Sequence, residues 1–115
     1  MSSLPAPIRL RRERKKTGLT QSDLAFLLNQ KRASISKYEL NRVQIPLRSF
    51  LACCIIFDCR PEELVPEFIE QIARESLANV YTLRNVKVDN TSLRTLRRTE
   101  TLEALISRIH NHTHV

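Results

Sequence analysis

The sequence predicts an all-α protein with two parts. Its 115 residues include a single glycine and five prolines, which suits helices joined by short turns. Apolar residues recur at three- and four-residue spacing along much of the chain, and signals typical of strands are scarce. The length allows one ordinary domain, or a small domain with an extension. We expect a helical domain over residues 1–66 and a helical extension over residues 67–115.

The first two helices are predicted from signals at their ends. Residues 8–16 form a basic segment that follows two prolines, and proline is favoured near a helix start. Gly18 stands where a left-handed residue would end this helix. Thr20 then begins the second helix, with Asp23 three residues later in an arrangement like a capping box.

A tight corner is predicted between the second and third helices. Asn29 tolerates left-handed backbone angles, so residues 29–31 are expected to form the turn. The third helix then covers residues 32–40, and both helices are too short to be stable without tertiary packing. Five apolar side chains are expected to anchor them to the core: Leu24, Ala25, Leu28, Ile35 and Tyr38.

Four more helices are predicted after the corner. Residues 47–57 form the most apolar one, and a short helix begins at Pro61 and ends near Pro66. Two longer amphipathic helices follow, over residues 67–84 and 91–109. The side chains expected on the inner face of the most apolar helix are Phe50, Leu51, Cys54 and Phe57.

The two longer helices each carry an apolar stripe. The stripes either cover the core of the first domain or pair two copies of the chain, and we favour pairing. The stripe residues are Ile69, Ile72, Ala73, Leu77, Val80 and Tyr81 in one helix, and Leu93, Leu96, Leu102, Ile106 and Ile109 in the other.

Positive charge is concentrated at the N-terminal side of the chain. The formal net charge is +7, and residues 1–48 contain 11 Lys and Arg against 3 Asp and Glu. Residues 49–79 contain 2 against 6. A cationic segment favours a polyanionic partner, and nucleic acid is a better candidate than a membrane or an acidic protein.

The cysteines do not form a recognisable framework. Cys53, Cys54 and Cys59 are an odd number in one short segment, which is a poor basis for disulfides, and their spacing does not suit a zinc site. We therefore expect them to act as small buried hydrophobic residues.

Other functional classes are disfavoured. His110, His112 and His114 alternate near the C-terminus, and a frayed terminus is a better interpretation than a metal site. No catalytic constellation stands out, so we expect neither an enzyme nor a cofactor. No apolar run reaches the length of a membrane span, and the first residues lack a secretory signal, so a cytoplasmic location is expected.

Two short helices joined by a tight corner, with cationic and hydrogen-bonding groups outside, are the helix-turn-helix design. Six side chains are left to face outward: Lys31, Arg32, Ala33, Ser34, Ser36 and Lys37. They come early in the second helix of the pair, the end that enters a major groove first. Without the surrounding motif a solvated helix face would be the better interpretation, but with it DNA contact is favoured.

The motifs GLTQSDLA, SISKYE, RVQIP and FDCRPEEL occur in this order over roughly residues 8–64. Together they resemble the Cro/C1-type (XRE) helix-turn-helix regulators. The resemblance implies a five-helix lambda-repressor-like DNA-binding domain followed by a helical extension. Three positions depart from the pattern: Asn29 and Asn41 replace glycines, which suits the backbone, whereas Gln30 replaces an apolar residue and suggests a looser corner.

The resemblance also implies roles for individual residues. Gln21 and Arg42 match positions that contact phosphate, and Arg14 and Glu39 match a structural salt bridge between the first and third helices. The positions that match the family's base-reading residues are Arg32, Ala33 and Lys37, with Ser34 and Ser36 close to phosphate or base edges. An arginine at position 32 suits a bidentate pair with guanine, and Ala33 suits a thymine methyl group.

These observations predict a sequence-specific regulator of transcription that binds double-stranded DNA, with repression as the favoured outcome and a homodimer as the favoured assembly. An antitoxin-type module that grips a partner protein through the C-terminal helices is the main alternative. Non-specific packaging of nucleic acid is a third.

Overall fold

The structure is a computed structural model that describes residues 8–86 and 92–113. These residues form seven α-helices and no strand, which confirms the predicted all-α class. The helices are α1 (Leu10–Thr17), α2 (Gln21–Leu27), α3 (Arg32–Glu39), α4 (Leu47–Ile56), α5 (Pro61–Leu64), α6 (Pro66–Arg84) and α7 (Leu93–His110). The chain divides into two compact units, Met1–Phe68 (unit 1) and Ile69–Val115 (unit 2). The role of residues 67–115 in dimerisation stays a prediction.

The ends of α1 and α2 follow the predicted signals. Gly18 ends α1 with a left-handed backbone (φ 77°). Thr20 accepts a hydrogen bond from the Asp23 amide and donates its own amide to the Asp23 carboxylate, both at 3.0 Å, which completes the capping box. The start of α1 was predicted two residues too early: the helix begins at Leu10, and Arg9 is its N-cap residue, whose amide donates to the carbonyl of Leu64.

Three successive helices end in the same way without a glycine. Asn29, Asn41 and Asp58 have left-handed backbones with φ of 56°, 57° and 52°. In each case the next residue donates its amide back into the helix, as in the Schellman motif. The two asparagines confirm the prediction that Asn suits these sites, whereas Asp58 was not foreseen.

The predicted looseness of the α2–α3 corner is wrong. Gln30 donates from Nε2 to the Ser49 hydroxyl of α4 at 3.2 Å, and its Oε1 accepts from the Tyr38 hydroxyl of α3 at 3.3 Å. The residue also donates its backbone amide to the carbonyl of Ala25 at 2.8 Å. A polar side chain therefore ties the corner to two helices where an apolar one would only pack.

The core of unit 1 contains all five side chains predicted to anchor the corner, and each is buried. Leu10, Cys53 and Leu64 join them with no exposed surface. The predicted inner face of α4 is partly wrong, since Cys53 is fully buried instead of Cys54, and Leu51 is half exposed. Nearly every position of α4 is apolar, so hydrophobic periodicity could not determine which face points inward.

The cysteines are free, and only Cys53 is fully buried, whereas Cys54 and Cys59 are half-buried. Burial raises the pKa of the Cys53 thiol to about 12, so this side chain is a neutral, small hydrophobic residue at physiological pH. Burial also raises the pKa of Cys54 and of Cys59. Raised thiol pKa values are typical of structural cysteines, because thiolates are the reactive form.

Unit 2 buries only part of its predicted apolar stripes. Ala73, Val80 and Leu102 are buried, whereas Ile72, Leu93 and Leu96 are exposed. A stripe at three-four spacing is wider than the surface that one neighbouring helix covers, so its margins stay accessible. Ser92 caps α7 by accepting the amide of Thr95 at 3.2 Å.

Two further observations concern membrane spans and metal sites, neither of which the sequence predicts. Within residues 8–86 and 92–113, no helix combines the length and apolarity that a bilayer crossing requires. In the same part of the chain, no three His, Cys, Asp or Glu side chains cluster in a way that could hold a metal ion. His114 lies outside the described residues.

Candidate nucleic-acid interface

The third helix presents a cationic face opposite its buried one. Ile35 and Tyr38 point into the core, whereas Arg32, Ala33 and Lys37 are exposed and Ser36 is half-buried. At about 100° per residue, these last four side chains fall within an arc of about 140°. Of the outward set predicted from sequence, Lys31 is exposed at the N-cap position, whereas Ser34 is half-buried and lies about 60° outside this arc, beside the buried Tyr38.

The cations of this face are free to meet a ligand. Lys31, Arg32, Lys37 and Arg42 make no ion pair with any residue that the structure describes. Arg42 is exposed and directly follows the left-handed residue that ends α3, and its amide donates to the carbonyl of Lys37 at 2.9 Å. The backbone thus holds Arg42 next to the C-terminal end of the cationic face of α3.

A buried ion pair fixes α3 to α1. Arg14 donates from Nε to Glu39 Oε2 at 2.6 Å and from Nη2 to Oε1 at 3.1 Å, which is the pairing that the family resemblance implied. The Arg14 side chain is 10% exposed and that of Glu39 3%. Arg14 also donates from Nη1 to the carbonyl of Leu19 at 2.9 Å, so every part of its guanidinium group is used.

The pKa of Glu39 is lowered although burial alone would raise it. Burial works against ionisation of this carboxyl and is the largest single effect, but the hydrogen bonds from Arg14 and Gln21, together with the nearby positive charges, outweigh it and lower the pKa. The charge of Arg11 acts in the same direction. A charged, bidentate pair in this setting holds the two helices in one relative orientation.

Gln21 occupies the first position of α2 and joins this network. Its Nε2 donates to Glu39 Oε1 at 3.0 Å, which sequence reasoning did not foresee. An amide nitrogen carries two hydrogens and the amide oxygen two lone pairs, so one N–H group and the oxygen remain for another partner. The bond therefore orients Gln21 without using up its capacity to contact a phosphate.

A shallow cleft joins the N-terminal part of this face to α1 and α2. It brings together three of the residues predicted to contact DNA, Gln21, Arg32 and Ser36, with the predicted ion pair of Arg14 and Glu39. It also adds Arg11 and Ser22, which were not predicted to contact DNA. Arg11 lies three residues before Arg14, so the two share one face of α1. This spacing was the signal that could have identified Arg11, for which direct contact and diffuse attraction of phosphate were both left open.

The remaining predicted residues lie outside the cleft. They belong to the exposed side of α3 and to the two ends of that helix: Lys31, Ala33, Ser34, Lys37 and Arg42. The structure therefore divides the predicted site into a cleft and a more open cationic surface. Both lie on unit 1.

Fold and surface together define a helical DNA-binding domain of the helix-turn-helix class. Residues 10–64 match a family model described as helix-turn-helix, and this segment belongs to the Cro/C1-type (XRE) helix-turn-helix family. Its fold is lambda-repressor-like, and the family is a DNA-binding, non-enzymatic domain type. No curated protein and no solved structure matched the chain.

Proposed function

We propose that this DNA-binding regulator is a sequence-specific repressor that binds an operator as a homodimer. In this proposal α3 enters the major groove and each subunit reads one half-site, since a single recognition helix gives little affinity. Residues 67–115 hold the two chains together. A repressor acts by occupying its site, and no part of this proposal requires a cofactor.

The proposal assigns two kinds of contact. Arg32, Ala33 and Lys37 read base edges, because all three lie on the exposed face of α3. Arg32 and Ala33 belong to the first turn of the helix, and Lys37 lies about one turn further along. Gln21 and Arg42 contact phosphates on either side of the helix. The remaining outward residues, Lys31, Ser34 and Ser36, lie between these positions and contact phosphate or base edges.

One observation supports this function most directly. The exposed cations of α3 have no acidic partner in the described residues, and the helix that carries them is fixed by the buried pair of Arg14 and Glu39. A rigid helix with unpaired cations presents a defined pattern of donors, which base reading requires. A solvated surface helix has no need of such a buried anchor.

Selection of bound duplexes from a random pool tests the proposal. We expect a near-palindromic preferred site. On that site Arg32→Ala should weaken binding by about 1–3 kcal/mol, with a smaller loss on random DNA. Arg42→Ala should weaken both alike and reduce the salt slope by about 1, because it removes a phosphate contact.

Arg60→Ala serves as the matched control, because Arg60 is an exposed arginine of unit 1 that lies outside α3 and does not line the cleft. It removes the same charge away from α3 and should leave the preference unchanged. Equal losses from Arg32→Ala on preferred and random DNA would contradict base reading. A pool without any preferred sequence would favour non-specific packaging.

An antitoxin-type function is a second candidate, and the exposed apolar side chains of α7 favour it. Leu93 and Leu96 are 64% and 55% exposed, and a partner protein could cover them. Such a module binds DNA and a partner protein at once. Co-purification of a second small protein whose binding is abolished by Leu96→Glu would support it, whereas a pure homodimer would contradict it.

A further inference from the structure

Helix α4 exposes a continuous apolar stripe that the core does not use. Leu47, Leu51 and Ile55, called here the α4 stripe, are 71%, 49% and 81% exposed. They follow one another at four-residue spacing, so they lie on one face of the helix over about 12 Å. The opposite face carries the buried Ser49 and Cys53.

Scattered exposed aliphatic residues are normal, but three large ones on one helix face form a patch. The α4 stripe is also separate from the cationic face of α3, because none of its residues lines the cleft or belongs to the recognition helix. DNA contact therefore gives no reason for these side chains to be apolar. Contact with another protein surface does explain why these side chains are apolar.

The charges around the α4 stripe identify the partner. Arg48 is exposed beside the N-terminal end of the stripe, whereas Asp58 and Glu62 are exposed beyond its C-terminal end. None of the three makes an ion pair with a residue in the described ranges 8–86 and 92–113. The surface is positive at one end, apolar in the middle and negative at the other end.

Such a surface is complementary to itself when it is turned by 180°. In an antiparallel pair with Leu51 at the twofold axis, Leu47 lies opposite Ile55 of the second copy. Position 48 then lies opposite position 54, so Arg48 faces the C-terminal half of the second copy's α4, the end that Asp58 and Glu62 follow. A parallel pair would instead place the two Arg48 side chains together, and like charges across an interface are unfavourable.

We propose that two unit 1 copies meet through the α4 stripe in this antiparallel arrangement. The inference rests on the proposed homodimeric function and deepens it. Residues 67–115 hold the chains together, and the α4 contact sets the position of one recognition helix relative to the other. Three side chains from each copy make a small interface, so the contact adds to dimerisation and to cooperative DNA binding but does not supply the whole affinity.

Disulfide trapping at the twofold axis tests the geometry. In the Leu51→Cys/Cys54→Ser chain, residue 51 meets its own copy, so mild oxidation should convert most of the protein to a disulfide-linked dimer. Phe26→Cys in the same Cys54→Ser background is the matched control, because Phe26 is an apolar residue of α2 that is 82% exposed. It should stay largely unlinked. Equal linkage in both chains, or none at position 51, would overturn the proposal.

Binding to a whole and a half operator separates this proposal from the proposed function. Leu51→Glu should weaken binding to the palindromic site at least tenfold and leave half-site binding unchanged, because it places two like charges at the axis. Phe26→Glu should leave both unchanged. If the Leu51→Cys/Cys54→Ser chain is trapped as a dimer at position 51 but the wild-type chain shows no preferred DNA site, the α4 contact stands and sequence-specific repression fails.

If the wild-type chain binds its palindrome as a dimer and Leu51→Glu binds equally well, repression stands and the α4 contact fails. Circular dichroism of each variant checks that the fold is intact, and the partial exposure of Leu51 makes a folded Leu51→Glu chain the expected result.

Discussion

The two units of the protein bury their side chains to different depths. In unit 1, Leu10, Leu24 and Ile35 have no exposed surface, whereas the most deeply buried apolar side chain of unit 2, Leu102, keeps 5%. Unit 2 also exposes large aliphatic residues such as Leu93 and Leu96. Helix α3 therefore packs on a closed core, while unit 2 carries apolar side chains that remain exposed.

The ion pairs of the two units differ in the same sense. Arg14 and Glu39 in unit 1 are 10% and 3% exposed and lie 2.6 Å apart, whereas Arg84 and Glu103 in unit 2 are 39% and 57% exposed and lie 3.3 Å apart. A buried pair is costly to break, because the remaining charge has no partner, whereas an exposed pair contributes little. Among the described residues, the ion pair that joins two helices is buried in unit 1 and exposed in unit 2.

Truncating one leucine in each unit gives the largest expected contrast. Leu24→Ala should lower the free energy of unfolding by about 4 kcal/mol, since it removes a fully buried side chain and leaves a cavity. Leu96→Ala should change it by less than about 0.5 kcal/mol, because Leu96 is already half exposed. Urea denaturation followed by circular dichroism measures both. Similar losses would show that unit 2 has a core as closed as that of unit 1.

Removing one acid from each pair sharpens the contrast in electrostatics. Glu39→Gln should lower the free energy of unfolding by about 3 kcal/mol, because Arg14 then remains charged and buried without its partner. Glu103→Gln should change it by less than about 1 kcal/mol, as is usual for exposed pairs. The double variant Arg14→Gln/Glu39→Gln should recover part of the first loss.

The pH dependence of the free energy of unfolding provides a control for the Glu39→Gln prediction. Its pKa in the folded protein is lowered, so its contribution to stability is complete above the unfolded value of about 4.3 and is lost as the pH falls through the folded value. The stability gap between wild type and Glu39→Gln should therefore narrow below about pH 4.3. The carboxyls of Glu13, Asp23 and Glu67, whose pKa values are also lowered, are present in both proteins and largely cancel. A gap that does not change with pH would contradict this account.

The smallest expected effect concerns the corner of unit 1. Asn29→Ala should lower stability by about 1 kcal/mol, because alanine is strained at a φ of 56°, whereas Asn29→Gly should be close to neutral. Both changes remove the same amide group, so the difference between them isolates the backbone. Thermal denaturation of the two variants side by side checks it, and equal melting temperatures would show that the backbone angle is not the constraint.

Local signals made much of unit 1 predictable. Gly18 and Thr20 mark helix ends by their own chemistry, and the spacing of Ile35 and Tyr38 identifies the inner side of α3. The partner of Arg14, twenty-five residues away, was inferred only through the family resemblance. No local pattern in the sequence encodes such a long-range pairing.

Other features depended on tertiary packing and could not be predicted. The inner face of α4 was ambiguous because apolar residues surround that helix, and the partners of Gln30 and Gln21 lie on helices whose placement the sequence alone does not define. The exposed margins of α6 and α7 have the same origin, since periodicity predicts where an apolar stripe lies and not how much of it is covered.

The bond network around Glu39 sets the smallest segment that could be transplanted into another protein. A fragment limited to α2 and α3 would contain Gln21 and Glu39 but would lack Arg14, which belongs to α1. Such a graft would carry an uncompensated carboxylate on its reading helix and would depend on its new host for a cation. A chimera that preserves this ion pair must therefore take the chain from Leu10 onward as a single block.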